Sequence, residues 1–404
     1  MDKKTIKDLP EESLRGKTVL VRVDYNVPLD NGRIDDDTRI TATQPTLKYL
    51  LGHGAAIILV SHLGRPKGKP NADMSLAPVA ERLSELLGVK VAFAGDLDGA
   101  ESAKARKALK PGDVLLLENA RFLPGEEDND AELSDALADM ADIYVNDAFG
   151  TAHRAHASTE GVAVAMKRNG KPAVAGFLIE KELRFLGGAL SNPERPFTAI
   201  LGGAKISGKI DVIEKLLPQV EYLLIGGAMA NTFFRALGLS TGKSLVEEDR
   251  IDMARQLLER AGPKIVLPVD CVVAGEPKGG LRTFLVDRDA IPPEGGVYDI
   301  GPKSVATFRD FIERSCTILW NGPMGMFEVE EYAEGTTGVA LAVVDATASG
   351  ATTIIGGGDT ASAIEHAGLA DKVTHVSTGG GASLEFLEGR ALPGIDILDD
   401  KEPA

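Results

Sequence analysis

Two cysteines in 404 residues cannot make a disulfide scaffold. Cys271 and Cys316 each sit inside an apolar, strand-like run, which reads as two buried thiols in a reducing, cytoplasmic setting. Long hydrophobic runs are missing too. Stretches such as residues 55–60 fall far short of the roughly 20 residues that cross a bilayer. Cations are in deficit, with 44 Lys and Arg against 60 Asp and Glu, a formal charge of -16. That balance argues against non-specific binding to nucleic acid or to an anionic membrane. Met1-Asp2-Lys3-Lys4-Thr5-Ile6-Lys7-Asp8 mixes charges and lacks an apolar core, so no secretory signal is expected.

Several motifs are absent as well. No G-x-G-x-x-G follows a first strand, which removes the dinucleotide fingerprint. Gly238-Leu239-Ser240-Thr241-Gly242-Lys243-Ser244 has three residues between its glycines where a phosphate-binding P-loop needs four, and no strand immediately precedes it. It reads as a surface turn. His153-Arg154-Ala155-His156 has no cysteine or further histidine at a spacing that would complete a zinc site.

What is present is an alternation of strand and helix along almost the whole chain, the pattern of parallel sheets covered on both faces. The length makes two domains the expectation. In the first half strands are expected near residues 19–23, 56–60, 89–93, 114–118 and 143–147, with Ser75 as N-cap of a helix that carries Pro78 in its first turn. In the second half they are expected near 198–201, 222–225, 264–267, 317–320, 352–355 and 374–377. Between the halves, residues 177–186 have helical periodicity and run into Gly187-Gly188, where the helix is expected to end and the domains to join.

The halves carry different chemistry. Strands of the first half run into arginine or histidine: Arg22, Arg39, His62, Arg65, Arg121 and Arg154 all lie at or just beyond the end of a predicted element. Guanidinium forks match carboxylate and phosphate oxygens, so their recurrence at one sheet edge suggests a cage for a small anion. Asp24 and Asn26 flank Tyr25, and in a strand would share a face and orient a ligand hydroxyl. Strands of the second half run into glycine instead. Gly202-Gly203-Ala204-Lys205-Ile206-Ser207-Gly208-Lys209 is expected to open a helix with Lys205 and Lys209 on one face. Gly356-Gly357-Gly358-Asp359-Thr360 offers backbone amides to phosphates, Asp359 to Mg²⁺ and Thr360 as a cap. Thr378-Gly379-Gly380-Gly381-Ala382-Ser383 repeats the device, and Trp320-Asn321-Gly322-Pro323 leads to Glu328, a candidate for a ribose hydroxyl. Cations in one half and glycine turns in the other suggest an enzyme that joins two phosphorylated ligands.

With these motifs assembled, the chain resembles the phosphoglycerate kinase family from end to end. The resemblance rests on Arg22-Val23-Asp24-Tyr25-Asn26-Val27-Pro28, Asp36-Asp37-Thr38-Arg39-Ile40, Ser61-His62-Leu63-Gly64-Arg65-Pro66 and Glu118-Asn119-Ala120-Arg121-Phe122. It continues through Asn146 to His156, Gly202-Gly203-Ala204-Lys205, Trp320-Asn321-Gly322-Pro323 and Gly356 to Thr360. The resemblance implies an α/β protein of two Rossmann-like domains, each a parallel sheet covered by helices on both faces, joined by an interdomain helix across a cleft. It implies an N-terminal 3-phosphoglycerate-binding domain of residues 1–172 plus the returning tail 389–404, a hinge helix at 173–188 and a nucleotide-binding domain at 189–388.

The implied reaction is reversible phosphoryl transfer from 1,3-bisphosphoglycerate to Mg-ADP, by a cytoplasmic monomer. Implied glycerate contacts are Asp24, Asn26, Arg39, His62, Leu63, Gly64, Arg65, Arg121 and Arg154. Implied nucleotide contacts are Lys205, Lys209, Gly226, Asn321, Pro323, Glu328, Gly357, Gly358, Asp359 and Thr360, with Asp359 nearest the metal. Arg39, Lys205, Gly358 and Gly381 are the implied catalytic set. Three positions depart from the family pattern: Gly208 replaces a frequent acidic residue, Ala228 a glycine and Val297 a frequent glycine. Another carboxylate kinase and a non-catalytic two-domain binding protein are the rival readings.

Overall fold

The computed structural model describes residues 2–30 and 32–401. The chain divides into two compact units, residues 1–184 with 391–404, and residues 185–390. Among the described residues no helix is long and apolar enough to cross a membrane.

The first unit is built on a six-stranded parallel sheet in the order Val91–Ala94, Val114–Leu117, Ala56–Val60, Thr18–Arg22, Ile143–Asn146, Ala173–Ala175. The central strand Ala56–Val60 reads Ala-Ile-Ile-Leu-Val and is buried at every position, as expected of a strand with helices on both faces. The sequence did not reveal the last strand. Residues 173–175 are three small apolar residues, too short for a period, and form this strand rather than the start of the expected hinge helix. The C-terminal segment is tied to the same unit: buried Lys3 donates through Nζ to Asp396 O at 2.7 Å and to Leu398 O at 3.0 Å. The helix expected from Ser75 begins at Ala77. Ser75 Oγ still accepts from Ala77 N at 3.2 Å, while donating to Glu118 at 2.6 Å.

The connector also differs from expectation. The α-helix Phe177–Glu182 passes through a π turn, Leu183–Gly187, into Gly188–Ser191. Gly187 keeps a helical φ of -66°, so the glycine pair does not stop the helix. Its start is set by Asp147, whose buried carboxylate accepts from Leu178 N at 2.8 Å. Burial pushes the Asp147 carboxyl up to about 7, against the pull of Thr46 and the amides of Leu178 and Ile179. Its folded value therefore lies above the unfolded one, and the stability it contributes is complete below about pH 4 and lost as pH rises through about 7. Asp147→Asn keeps an acceptor for Leu178 and removes that loss. Denaturant midpoints should favour the variant more at pH 8 than at pH 4. An unchanged difference at the two pH values would contradict this.

The second unit repeats the design with a parallel sheet ordered Ile265–Val266, Tyr222–Ile225, Phe197–Leu201, Thr317–Asn321, Thr352–Gly356, His375–Val376. All six strands run parallel, and the order in which they are added reverses between Phe197–Leu201 and Thr317–Asn321, which makes their carboxyl ends the switch point where α/β sheets take ligands. An antiparallel sheet of Phe284–Asp287, Asp270–Ala274 and Gly296–Ile300 adds to this unit and was not anticipated. Asp270–Ala274 is buried throughout and shows no alternation that would have betrayed an antiparallel partner.

Candidate active site

The basic cage forms at the carboxyl edge of the first sheet. The strand Thr18–Arg22 ends before Asp24, so Asp24 and Asn26 lie in the loop beyond it rather than in the strand. That loop is anchored by Tyr25, fully buried, whose hydroxyl meets Thr43 Oγ1 at 2.9 Å. Asp24 takes Arg39 Nη1 at 2.5 Å, and Asn26 Oδ1 accepts from Gly64 N at 2.8 Å. Arg39 is the second residue of the short helix Thr38–Ala42 and stays about one-third exposed, at 34% of its side chain. Asn119 fixes the 62–65 loop by accepting from Leu63 N at 3.2 Å and donating to Leu63 O at 2.7 Å. Arg121 is 3% exposed, donates from Nη1 to Gly64 O at 2.8 Å and lies 3.2 Å from Glu127 through Nε. Arg65 is exposed on the same loop, and half-buried Arg154 donates to His153 Nε2 at 3.2 Å.

His62 is buried among these cations. Burial, then Arg22, Arg121, Arg39 and Arg154 in turn, hold its imidazole well below the usual histidine range, so it is neutral at physiological pH. His156 is held down to about 4 by burial and then by Arg121, Arg22 and Arg154. One member of the sequence-derived cage does not face outward: Arg22 is 1% exposed and spends its donors on Ser158, Val23 O and His62. Strand position alone could not separate an inward arginine from an outward one.

In the second unit the loops after the strands enclose a cavity of about 560 Å³, within the range of small-ligand sites. Of the residues expected to meet nucleotide, Pro323, Glu328 and Asp359 line it, beside Gly203 and Gly227. Two glycines are required by the close approach of these loops. Gly322 has φ 102° and a Cβ there would lie 2.2 Å from Gly202 O; Gly227 has φ 67° and would meet Gly203 N at 2.4 Å. Gly226 lies beneath Met324, not in the wall. Tyr298 and Asp299 reach the cavity from the unforeseen antiparallel sheet. Asp299 accepts from Gly335 N at 2.6 Å, and burial pushes its carboxyl up to about 8. Ala228 and Val297, two of the three departures from the family pattern, are both wall residues, whereas Gly208 is not.

The lysine pair is placed differently from expectation. Residues 203–209 are not helical, and the helix starts at Ile210, so Lys205 and Lys209 do not share a helix face. Ser207 instead bonds Glu247, through Oγ and through N at 3.0 Å, which holds this stretch as a turn. Lys205 is exposed. Lys209 is half-buried, donates to Asn321 Oδ1, and is held down to about 8 by burial, partly offset by Asp359 and Glu388. Asn321 Nδ2 is buried without a partner. Thr360 does not cap its helix; its Oγ1 accepts from Gly322 N at 2.6 Å and ties two loops together. Gly358 and Gly381 are the first residues of the helices Gly358–His366 and Gly381–Leu387.

A caged set of cations on one parallel sheet and a glycine-walled cavity with lysines on another define a two-unit α/β phosphotransferase. The phosphoglycerate kinase family model matches residues 6–390. The phosphoglycerate kinase of Chlorobium limicola is 56% identical over 404 residues, covering 99% of this chain and all of that protein. That of Chloroflexus aurantiacus is 55% identical over 408 residues, covering both fully. The solved phosphoglycerate kinase of Coxiella burnetii superimposes with a TM-score of 0.87 at 42% identity, and that of Pyrococcus horikoshii with 0.83 at 34%, each covering 98% of both chains. The chain belongs to the phosphoglycerate kinase family.

Proposed function

We propose that this chain transfers the acyl phosphate of 1,3-bisphosphoglycerate reversibly to Mg-ADP, giving 3-phosphoglycerate and Mg-ATP, as a cytoplasmic monomer. The observation that carries the reading is the buried His62 set among Arg39, Arg121 and Arg154 at the edge of the first sheet. A neutral imidazole gives a directed hydrogen bond, while guanidinium groups supply charge for the phosphate and carboxylate. Asp24 and Asn26 orient the glycerate hydroxyl, and Leu63 and Gly64 place His62 and Arg65 on one short loop. The acceptor carboxylate is ionised at neutral pH, so no general base is needed, and positioning with charge neutralisation accounts for the catalysis.

In the second unit Lys205, Lys209, Asn321 and Gly357 to Gly358 serve the phosphates and Glu328 the ribose, with Pro323 lining the same site. Asp359 fits a magnesium ion: it is an exposed carboxylate in the first turn of its helix and on the cavity wall. Mg²⁺ takes one or two carboxylates plus substrate phosphates, so one such oxygen donor suffices, and the bound ion would neutralise developing phosphate charge. Glycerate and nucleotide contacts belong to different units, and the reaction draws on both.

ADP formation from ATP across a panel of carboxylic acids tests the acceptor. A clear preference for 3-phosphoglycerate is expected, and a better acceptor lacking the phosphate would favour another carboxylate kinase. Asp359→Asn should weaken ADP binding in the presence of Mg²⁺ and leave 3-phosphoglycerate binding nearly intact. Calorimetry that gave equal ADP affinity for wild type and variant, with and without Mg²⁺, would reduce Asp359 to a helix-end residue.

A further inference from the structure

We propose that Glu126 and Ser158 are positioning residues for the anion cage, acting through Arg22 to fix which nitrogen of His62 carries its proton. Glu126 ends the short 3₁₀ turn Pro124–Glu126 and is fully buried. Its two carboxylate oxygens are used by one residue: Oε1 accepts from Ser158 Oγ at 2.6 Å and Oε2 from Ser158 N at 2.9 Å. A serine hydroxyl has a single proton, and here it is given to Glu126. Towards Arg22, Ser158 Oγ can therefore only accept, and it does so from Nε at 2.7 Å. Arg22 then directs Nη1 to Val23 O and Nη2 to His62 Nδ1, 3.3 Å away.

Each link in this relay has one permitted direction. A carboxylate only accepts and a guanidinium only donates, so Nδ1 of His62 must be the acceptor. The proton of the neutral ring is thereby confined to Nε2, the nitrogen left to donate to a ligand. Arg22, 1% exposed, has the buried carboxylate of Glu126 one residue away, linked through Ser158. The remaining charged groups about His62 are Asp24, with Oδ1 3.8 Å from Nδ1, and the cations Arg39, Arg121 and Arg154. His156 approaches the other end of the relay, its Nδ1 3.9 Å from Glu126 Oε1.

The part of the test that concerns ligand rests on the proposed function; the part that concerns the ring does not. Nitrogen-15 spectra of histidine-labelled free protein report the tautomer of His62. Wild type should show Nδ1 unprotonated and Nε2 protonated from pH 6 to 8. Ser158→Ala removes the oxygen that aligns Arg22 and should give a mixture of tautomers. Its KM for 3-phosphoglycerate should rise about tenfold, the scale of one charge-assisted hydrogen bond. Arg22→Lys, which keeps the charge but cannot bridge Ser158 and His62, should do the same, and Ser158→Thr should restore the wild-type pattern. A tautomer unaffected by Ser158→Ala, or a changed tautomer with an unchanged KM, would overturn the proposal. If the tautomer responds as expected but wild type fails to use 3-phosphoglycerate, the functional assignment falls and the relay stands.

Discussion

Arg39→Ala is expected to lower kcat on the order of a hundredfold and to raise the KM for 3-phosphoglycerate far less. The reason lies in how Arg39 is held. It is the cation of the cage that keeps substantial exposure while being aimed by a carboxylate, Asp24, at 2.5 Å. Arg121 is engaged with Gly64 O and Glu127 deep in the wall, which suits a fixed ground-state contact. A planar cation oriented at the rim is the one able to meet charge that develops on a transferring phosphoryl group. Loss of such a donor typically costs roughly 3 kcal/mol of transition-state stabilisation. Steady-state kinetics decide the matter: unchanged kcat with weakened substrate binding would make Arg39 an anchor only.

Lys205→Ala is expected to have the second large effect, a strong loss of turnover, whereas Lys209→Ala should act mainly on nucleotide affinity. The two lysines differ in environment. Lys209 is half-buried and committed to Asn321. Lys205 is exposed on the turn that follows Gly203 and Ala204, both cavity-wall residues, which is the reason to expect it at a terminal phosphate. Reversed phenotypes, with Lys209→Ala abolishing turnover and Lys205→Ala changing only ADP affinity, would exchange these roles.

The parallel sheets were legible in the sequence because most of their strands are short apolar runs followed by a distinctive loop. The strand at residues 173–175 was hidden by its length, and the antiparallel sheet by a central strand buried on both faces. At the candidate site, residue type showed which chemistry was present but not which way a side chain points. Arg22 and Arg39 look alike in sequence, yet one is an internal strut and the other faces the rim. Lys205 and Lys209 have helical spacing, but Ser207 binding to Glu247, 40 residues further on, keeps their segment out of the helix. Glu126 and Ser158 gave no signal, because their importance depends on a hydrogen-bond path through three separate parts of the chain.

The most direct test of the account is ATP formation from 1,3-bisphosphoglycerate and ADP by the purified chain, followed with a coupled assay in the presence and absence of Mg²⁺. Rapid, Mg²⁺-dependent ATP synthesis that falls on the order of a hundredfold in kcat with Arg39→Ala is the expected result. A folded protein that binds both ligands in calorimetry and forms no ATP would contradict it.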